Sequence, residues 1–252
     1  MLLTSASRAY AYRYSYMTKI FRKALAVFTL FTVELLFIWV AFLSCTLLFF
    51  LLAREILEGQ DLNFDAKAFA WADSFNSPGF NKFMTTVTFF ASANFITVAS
   101  LVLIFYFLFI RKHRWYSLRV PVVAVGSISV NLLLKFLFNR ERPIIPHLVT
   151  SHGLSFPSGH AMISASFYGL LIYLVWKHVA HPVLRWSLML FFLAFILTIG
   201  FSRVYLHVHY ASDVLAGFAA GVLWVMIAIY CLKKLERYSR RHINRIVESP
   251  GA

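Results

Sequence analysis

Charge is scarce in this sequence. Of its 252 residues only 13% are Asp, Glu, Lys or Arg, about half the roughly 25% that a soluble domain carries. Sixty per cent are hydrophobic and 18% aromatic. No soluble fold can hide that much apolar surface, so a water-soluble domain is excluded and the bilayer must be the solvent. Acidic residues are rarer still, 10 against 24 Lys plus Arg, for a formal net charge of +14. In a soluble chain that excess would point to nucleic acid. Here the basic residues cluster beside apolar runs, the pattern of cytoplasmic loops, and no nucleic-acid partner is expected. Cysteine is nearly missing: Cys45 and Cys231 each lie inside an apolar run and read as packing residues rather than a disulfide. Also lacking are internal repeats and low-complexity linkers, so one domain is expected. No cluster of His, Cys and carboxylates suggests an obligatory metal, and no cofactor is expected. The basic residues 1–23 are followed by an apolar run of full span length without a small-residue cleavage site, so no cleavable signal peptide is expected.

What is abundant is long apolar sequence. Runs near 24–52, 84–110, 119–139, 160–177, 184–201 and 213–232 are each long enough to cross a hydrocarbon core, which takes roughly 20 helical residues. They predict an all-α polytopic fold of about six transmembrane helices, with the six-span domain at 24–232. A basic arm (1–23) with alternating Tyr10, Tyr12, Tyr14 and Tyr16 precedes it, and a basic tail (233–252) follows. Between the first two runs, a mixed polar and aromatic stretch reads as an amphipathic segment on the interface, with Ser77-Pro78-Gly79 as a turn. Orientation follows from charge. The side holding both termini carries seventeen basic residues against Glu236 and Glu248, while the other carries seven basic and seven acidic. The positive-inside rule places both termini in the cytoplasm. Four of the seven opposite-side cations, Lys135, Arg140, Arg142 and Arg203, crowd the ends of the third and fifth spans.

Those outer ends spell three patterns. Lys135 is followed after six residues by Arg142-Pro143. Pro157-Ser158-Gly159-His160 opens the fourth span. Ser202-Arg203 is followed by His209 and, four residues later, Asp213. Together and in this order they resemble the three-part signature of the type 2 phosphatidic acid phosphatase superfamily, which includes vanadium haloperoxidases and glucose-6-phosphatase. The resemblance to its bacterial phosphatidylglycerophosphatase and undecaprenyl-diphosphatase members implies a membrane lipid phosphatase. In it His209 would form a phosphohistidine, Asp213 would support that residue, and His160 would serve the leaving group and then water.

The chemistry of the same residues agrees. A phosphoryl group in transfer spreads negative charge over its equatorial oxygens, so catalysis is mostly positioning and charge stabilisation. Lys135, Arg142 and Arg203 offer three cations; arginine can grip phosphate in a bidentate way, whereas lysine is a mobile point charge. Ser158 and Gly159 precede an apolar helix whose first N–H groups favour an anion. His209 and Asp213, if helical, share a face, so the carboxylate can hold the imidazole tautomer that leaves the other nitrogen free to attack. His160 is the candidate acid. No metal is assigned, since three cations already supply its electrostatics.

Other polar residues read as structural. Arg54, Lys67, Lys82 and Arg140 are expected to snorkel. His147, His152, His178 and His181 are expected to be structural. His207 stands where related proteins commonly carry a small residue; it could alter the pocket wall, but it is expected only to face lipid. Glu34 lies inside the first span with no role assigned, and Asp61 and Asp65 are expected on an exposed interfacial face. The partners implied are a lipid phosphate and the bilayer, in a bacterial plasma membrane, with the site external or periplasmic. The rival classes are a haloperoxidase, against which six spans speak; a phosphotransferase with a non-water acceptor; and a lipid-binding protein or transporter, which needs no nucleophile.

Overall fold

The structure, a computed structural model, describes Val33, residues 35–59 and residues 63–248, the last eight of these as backbone only. Glu34, Asp61 and the tyrosine-rich arm lie outside the described residues. Chain contacts divide the molecule into two units, Met1–Ser44 and Cys45–Ala252. In the described part of the first, the chain is helical, with Trp39 edge-on to Phe42 at 6.2 Å. The helices are α1 (Leu35–Leu57), α2 (Asn63–Asp73), α3 (Pro78–Phe89), α4 (Ala93–Phe105), α5 (Arg114–Phe138), α6 (Gly159–His178), α7 (Pro182–Tyr205) and α8 (Ala211–Glu248). A π-helical turn, Tyr106–Ile110, extends α4. Six of these segments are long and apolar enough to cross a membrane, and among the described residues there is no strand. The all-α, six-span expectation holds.

Local sequence explains where the helices start and stop. Ser77 and Ser92 each cap a helix by accepting a backbone N–H, from Phe80 and Phe95. Pro78 and Pro182 occupy first helical positions, where no N–H is needed. Ser77-Pro78-Gly79 is therefore the start of α3 rather than a free turn. The apolar run over 84–110 is not one helix: α3 ends at Phe89, and Ser92 starts α4. Periodicity could not show this break, because both halves are apolar. The first span reaches Leu57, beyond the expected 52, and its charged end is held by an Arg54–Glu58 pair at 2.6 Å. Asn139, in the left-handed conformation (φ 46°), ends α5.

The second unit is built around α6, which packs on α5, α7 and α8. Small residues make this close. A Cβ on Gly217 would lie 2.7 Å from the Ser158 carbonyl oxygen, and one on Gly221 would lie 2.5 Å from that of Met162. Helices in lipid associate through packing and polar bonds rather than a hydrophobic drive, so such close approach matters. Polar bonds add to it: Ser166 Oγ meets Ser127 Oγ at 3.0 Å and donates to the Gly221 carbonyl at 3.2 Å. At the far end of the bundle Arg119, 3% exposed, donates to Glu236 at 2.8 Å, joining α5 to α8, and lies over the Tyr116 ring. Phe156 is wedged against Phe138 (4.8 Å) and Phe49 (5.9 Å), which anchors the segment leading into α6.

A Gly221→Leu substitution should force α6 and α8 apart. The expected loss is about 1–3 kcal/mol, as for overpacking in general, read as a lower unfolding midpoint of the purified protein in detergent. An unchanged midpoint would contradict the close approach.

Candidate active site

Four helix ends gather at one end of the bundle. Lys135 lies in the last turn of α5, Gly159 and His160 begin α6, Arg203 lies in the last turn of α7, and Asp213 is in the first turn of α8. Up-and-down neighbours require this, whether the connection is short (residues 206–210) or long (residues 139–158): alternate helix ends return to the same level. A cavity of about 270 Å³ is lined by Lys135, Arg142, Gly159, His160, Arg203 and His209, together with Thr150, Ser151 and His152 of the connecting loop. Residues spread over more than seventy positions of sequence thus face one space.

The cations are held without carboxylates. Lys135 Nζ donates to the carbonyls of Leu154 and Ser155. Arg142 donates to the carbonyls of His152 (3.0 Å), Gly153 (2.9 Å) and Val208 (2.6 Å). Arg203, 5% exposed, donates from Nη1 to Thr88 Oγ1 at 2.6 Å, while its buried Nε has no partner among the described residues. Among the described residues none of the three forms a salt bridge, in contrast to Arg119 and Arg140. Burial also pushes the Arg142 guanidinium below its usual value, partly offset by Asp213. Three cations bound only to neutral groups make a strong positive field in a site of low dielectric.

Ser158 is the N-cap residue of α6, but its side chain makes no capping bond and its buried hydroxyl has no partner among the described residues. Its backbone N–H donates to the Asp213 carbonyl at 3.0 Å, which ties the two loops together. Gly159 is packed against Asn131, whose Oδ1 would be 3.1 Å from an added Cβ. Asn131 in turn donates to the Pro157 carbonyl at 3.2 Å. The N-terminal turn of α6 is thus pressed into place with its free N–H groups next to the cavity lining.

His209 and Asp213 do meet, though not on one helical face. His209 precedes α8, in an irregular turn whose N–H groups bond back to the Arg203 carbonyl. Its Nδ1 lies 3.5 Å from Asp213 Oδ2, longer than a usual hydrogen bond. Ser155 sits between: its hydroxyl donates to Asp213 Oδ2 at 2.5 Å and lies 3.3 Å from His209 Nδ1. With its hydrogen on Asp213, Ser155 Oγ can only accept from Nδ1–H. On the other side of the ring, Nε2 is 3.4 Å from Arg142 Nη1, and guanidinium nitrogens only donate. Both contacts select the tautomer protonated at Nδ1, with the Nε2 lone pair toward the cavity. Burial pushes the His209 pKa down to about 3, despite the opposing pull of Asp213, so the ring is neutral at physiological pH.

Several residues sit elsewhere than their sequence suggested. Arg140 does not snorkel: it pairs with Asp213 (2.6 Å) and Asp65 (3.3 Å). Asp65 is not on an exposed face but 4% exposed, accepting from the Ser212 N–H at 2.8 Å. His207, at φ 59°, faces neither lipid nor the cavity lining; it bonds Asp73 Oδ1 at 2.7 Å and lies 3.1 Å from the Pro146 carbonyl. His147 bonds Pro143 and Ser151 within its loop, His178 bonds the Leu174 carbonyl, and His181 caps α7, as structural histidines do. His152 lines the cavity mouth. Ser155, Thr88 and Asn131 carried no signal beyond Ser155 lying three residues ahead of Ser158.

His209 makes acid stability testable. Its folded pKa lies below the ordinary histidine value of about 6.5, so below that pH the unfolded chain binds the extra proton and stability falls as pH drops toward 3. The loss approaches about 1.4 kcal/mol per pH unit. Between pH 6.5 and 4 the unfolding midpoint of the parent should therefore fall more steeply than that of His209→Gln; parallel slopes would show His209 to be freely solvated.

The model of the family described as "PAP2 superfamily" matches residues 116–237. Phosphatidylglycerophosphatase B of Bacillus subtilis (strain 168) is 30% identical over 201 residues, which cover 79% of this chain and 98% of that protein. "Putative undecaprenyl-diphosphatase YbjG" of Escherichia coli (strain K12) is 27% identical over 60% of this chain and 75% of its own length. A crystal structure of a transmembrane PAP2 type phosphatidylglycerolphosphate phosphatase from Bacillus subtilis superposes with a TM-score of 0.69. It is 29% identical, covering 78% of this chain and 98% of the other. With its site geometry and its similarity to a relative matched over nearly that relative's full length, the chain belongs to the PAP2 superfamily.

Proposed function

We propose that this protein is a membrane lipid phosphatase that hydrolyses a phosphomonoester or diphosphate of a lipid through a phosphohistidine. The observation that carries this reading is the shared cavity: three cations without carboxylate partners among the described residues, beside a buried, neutral histidine whose Nε2 lone pair is turned to Arg142 Nη1 at 3.4 Å. The names of the relatives, a phosphatidylglycerophosphatase and an undecaprenyl-diphosphatase, support a lipid substrate. Phosphatidylglycerophosphate, phosphatidate and undecaprenyl diphosphate all present the phosphate that such a cradle reads.

In this mechanism Lys135, Arg142, Arg203, the Ser158 hydroxyl and the Gly159 backbone hold the phosphate oxygens, and their field grows in value as charge builds in the transition state. The His209 Nε2 lone pair attacks phosphorus. The bond from phosphorus to the lipid-side oxygen breaks, and that oxygen takes a proton from His160. Nδ1–H stays oriented by Ser155 and Asp213, which stabilise the charge on the phosphorylated ring. Water, losing a proton to His160, then attacks the phosphorus; the P–N bond breaks and inorganic phosphate leaves. A lipid or sugar hydroxyl replacing water in this last step would make the enzyme a phosphotransferase.

Phosphate release from a panel of lipid phosphates tests the assignment. The purified protein should turn over in excess EDTA and be inhibited by orthovanadate, and His209→Ala should abolish turnover while remaining folded. His209→Ala activity within tenfold of the parent, about 1.4 kcal/mol of barrier, would overturn the nucleophile.

The seventeen-to-seven partition of basic residues supports cytoplasmic termini and a site on the external or periplasmic face of the plasma membrane. A cysteine replacing Thr150, at the cavity mouth, should react with a membrane-impermeant thiol reagent in intact cells. One replacing Ser239 should react only after permeabilisation. The reverse labelling would invert the orientation.

A further inference from the structure

The mechanism leaves one buried cluster without a role. Asp65, on α2, is 4% exposed although its helix belongs to the segment between the first two spans. Its Oδ1 accepts the Ser212 backbone N–H (2.8 Å), and its Oδ2 accepts the Ser212 hydroxyl (2.7 Å) and Arg140 Nη2 (3.3 Å). Ser212 is in the first turn of α8, where backbone N–H groups lack intrahelical acceptors and a carboxylate is stabilised. Arg140 Nη1 donates to Asp213 Oδ1 at 2.6 Å and to Ser212 Oγ at 2.8 Å, and its guanidinium lies 4.0 Å above the Tyr210 ring. Both Nη groups and one face of Arg140 are thus taken up, and it does not line the cavity of Lys135, Arg142 and Arg203.

We infer that Asp65 and Arg140 are positioning residues for the reaction, acting through Asp213. The inference rests on the reading of His209 as nucleophile. A carboxylate has two oxygens. Arg140 fixes Oδ1, and this leaves Oδ2 turned to Ser155, the Tyr210 N–H (3.0 Å) and His209 Nδ1. Without Arg140, Oδ1 is a buried anion with no cation, and Asp213 can rotate to seek other donors at the expense of the imidazole. Asp65 is the counter-anchor: it holds the other edge of the planar fork, so the guanidinium cannot swing away from Asp213. Arginine meets the two carboxylates with two separate nitrogens of one rigid fork, Nη1 on Asp213 and Nη2 on Asp65, whereas lysine offers a single point charge. Tertiary docking of α2, through buried Ala72 and half-buried Phe69 against α7 and the loop before α8, brings Asp65 to the site.

The test measures kcat and KM for the parent, His209→Ala, Asp65→Asn, Arg140→Gln, Arg140→Lys, Asp213→Asn and the Arg140→Gln/Asp213→Asn double variant. Each is normalised to folded protein by its unfolding transition. Asp65→Asn keeps an acceptor for Ser212 N–H and so preserves the helix cap. Asp65→Asn and Arg140→Gln should each lower kcat about 10–100-fold, as loss of an orienting partner does, with KM changed less than about threefold, and Arg140→Lys should not restore the rate. In the Asp213→Asn background Arg140→Gln should cost less than about threefold, since coupled residues are not additive. If His209→Ala is inactive but Asp65→Asn and Arg140→Gln lie within twofold of the parent, the positioning role is wrong and the nucleophile stands. Additive losses with Asp213→Asn, or losses confined to KM, would equally overturn it. If His209→Ala is active, or the parent releases phosphate from no lipid phosphate, the functional reading itself fails and takes the inference with it.

Discussion

The close approach of α6 and α8 is the constraint on which the site depends. Gly217 and Gly221 leave no side chain between the helices, and any Cβ there would strike the Ser158 or Met162 carbonyl. Because the backbones come so near, the Ser158 N–H reaches the Asp213 carbonyl at 3.0 Å. That single bond joins the loop proposed to cradle phosphate to the first turn of α8, which carries Asp213. In lipid, where apolar side chains gain nothing by leaving one membrane-like surface for another, such contact by small residues and internal polar bonds is what fixes helices relative to one another.

On this frame the charged groups are sorted by partner. Arg119 and Arg140 neutralise Glu236 and Asp213 inside the protein. Lys135, Arg142 and Arg203 are held by carbonyls and by the Thr88 hydroxyl, groups that fix direction without cancelling charge. Burying ions so is costly unless something compensates, and a site that stabilises a dianionic phosphate in its transition state is a use that repays the cost. The same burial keeps His209 neutral, as the proposed nucleophile must be. Desolvation thus acts on both halves of the proposed reaction, sharpening the field and freeing the lone pair.

The apolar runs and the three motif segments were legible because both signals are local. Hydropathy over a window reports a span, and Pro157 to His160 or His209 to Asp213 are neighbours in sequence. Local reasoning erred where it had to supply geometry. His209 and Asp213 share a site through an irregular turn and Ser155, not a helical face. The break between α3 and α4 was hidden in continuous apolar sequence, where one serine cap decides.

By itself, the sequence determined that this chain lives in a bilayer as a helical bundle, and which cations and histidines crowd its helix ends. Only tertiary structure decided which of those cations stay open to an anion. Arg140 and Arg142 are two positions apart and chemically identical, yet one is consumed by Asp65 and Asp213 while the other faces the cavity. Asp65 and Thr88 reach the site from α2 and α3, and Asn131 from the turn of α5 before Lys135, through contacts no spacing rule records. The physical reason is that composition and periodicity are sums over neighbours along the chain, whereas an ion pair is set by distance and desolvation in space.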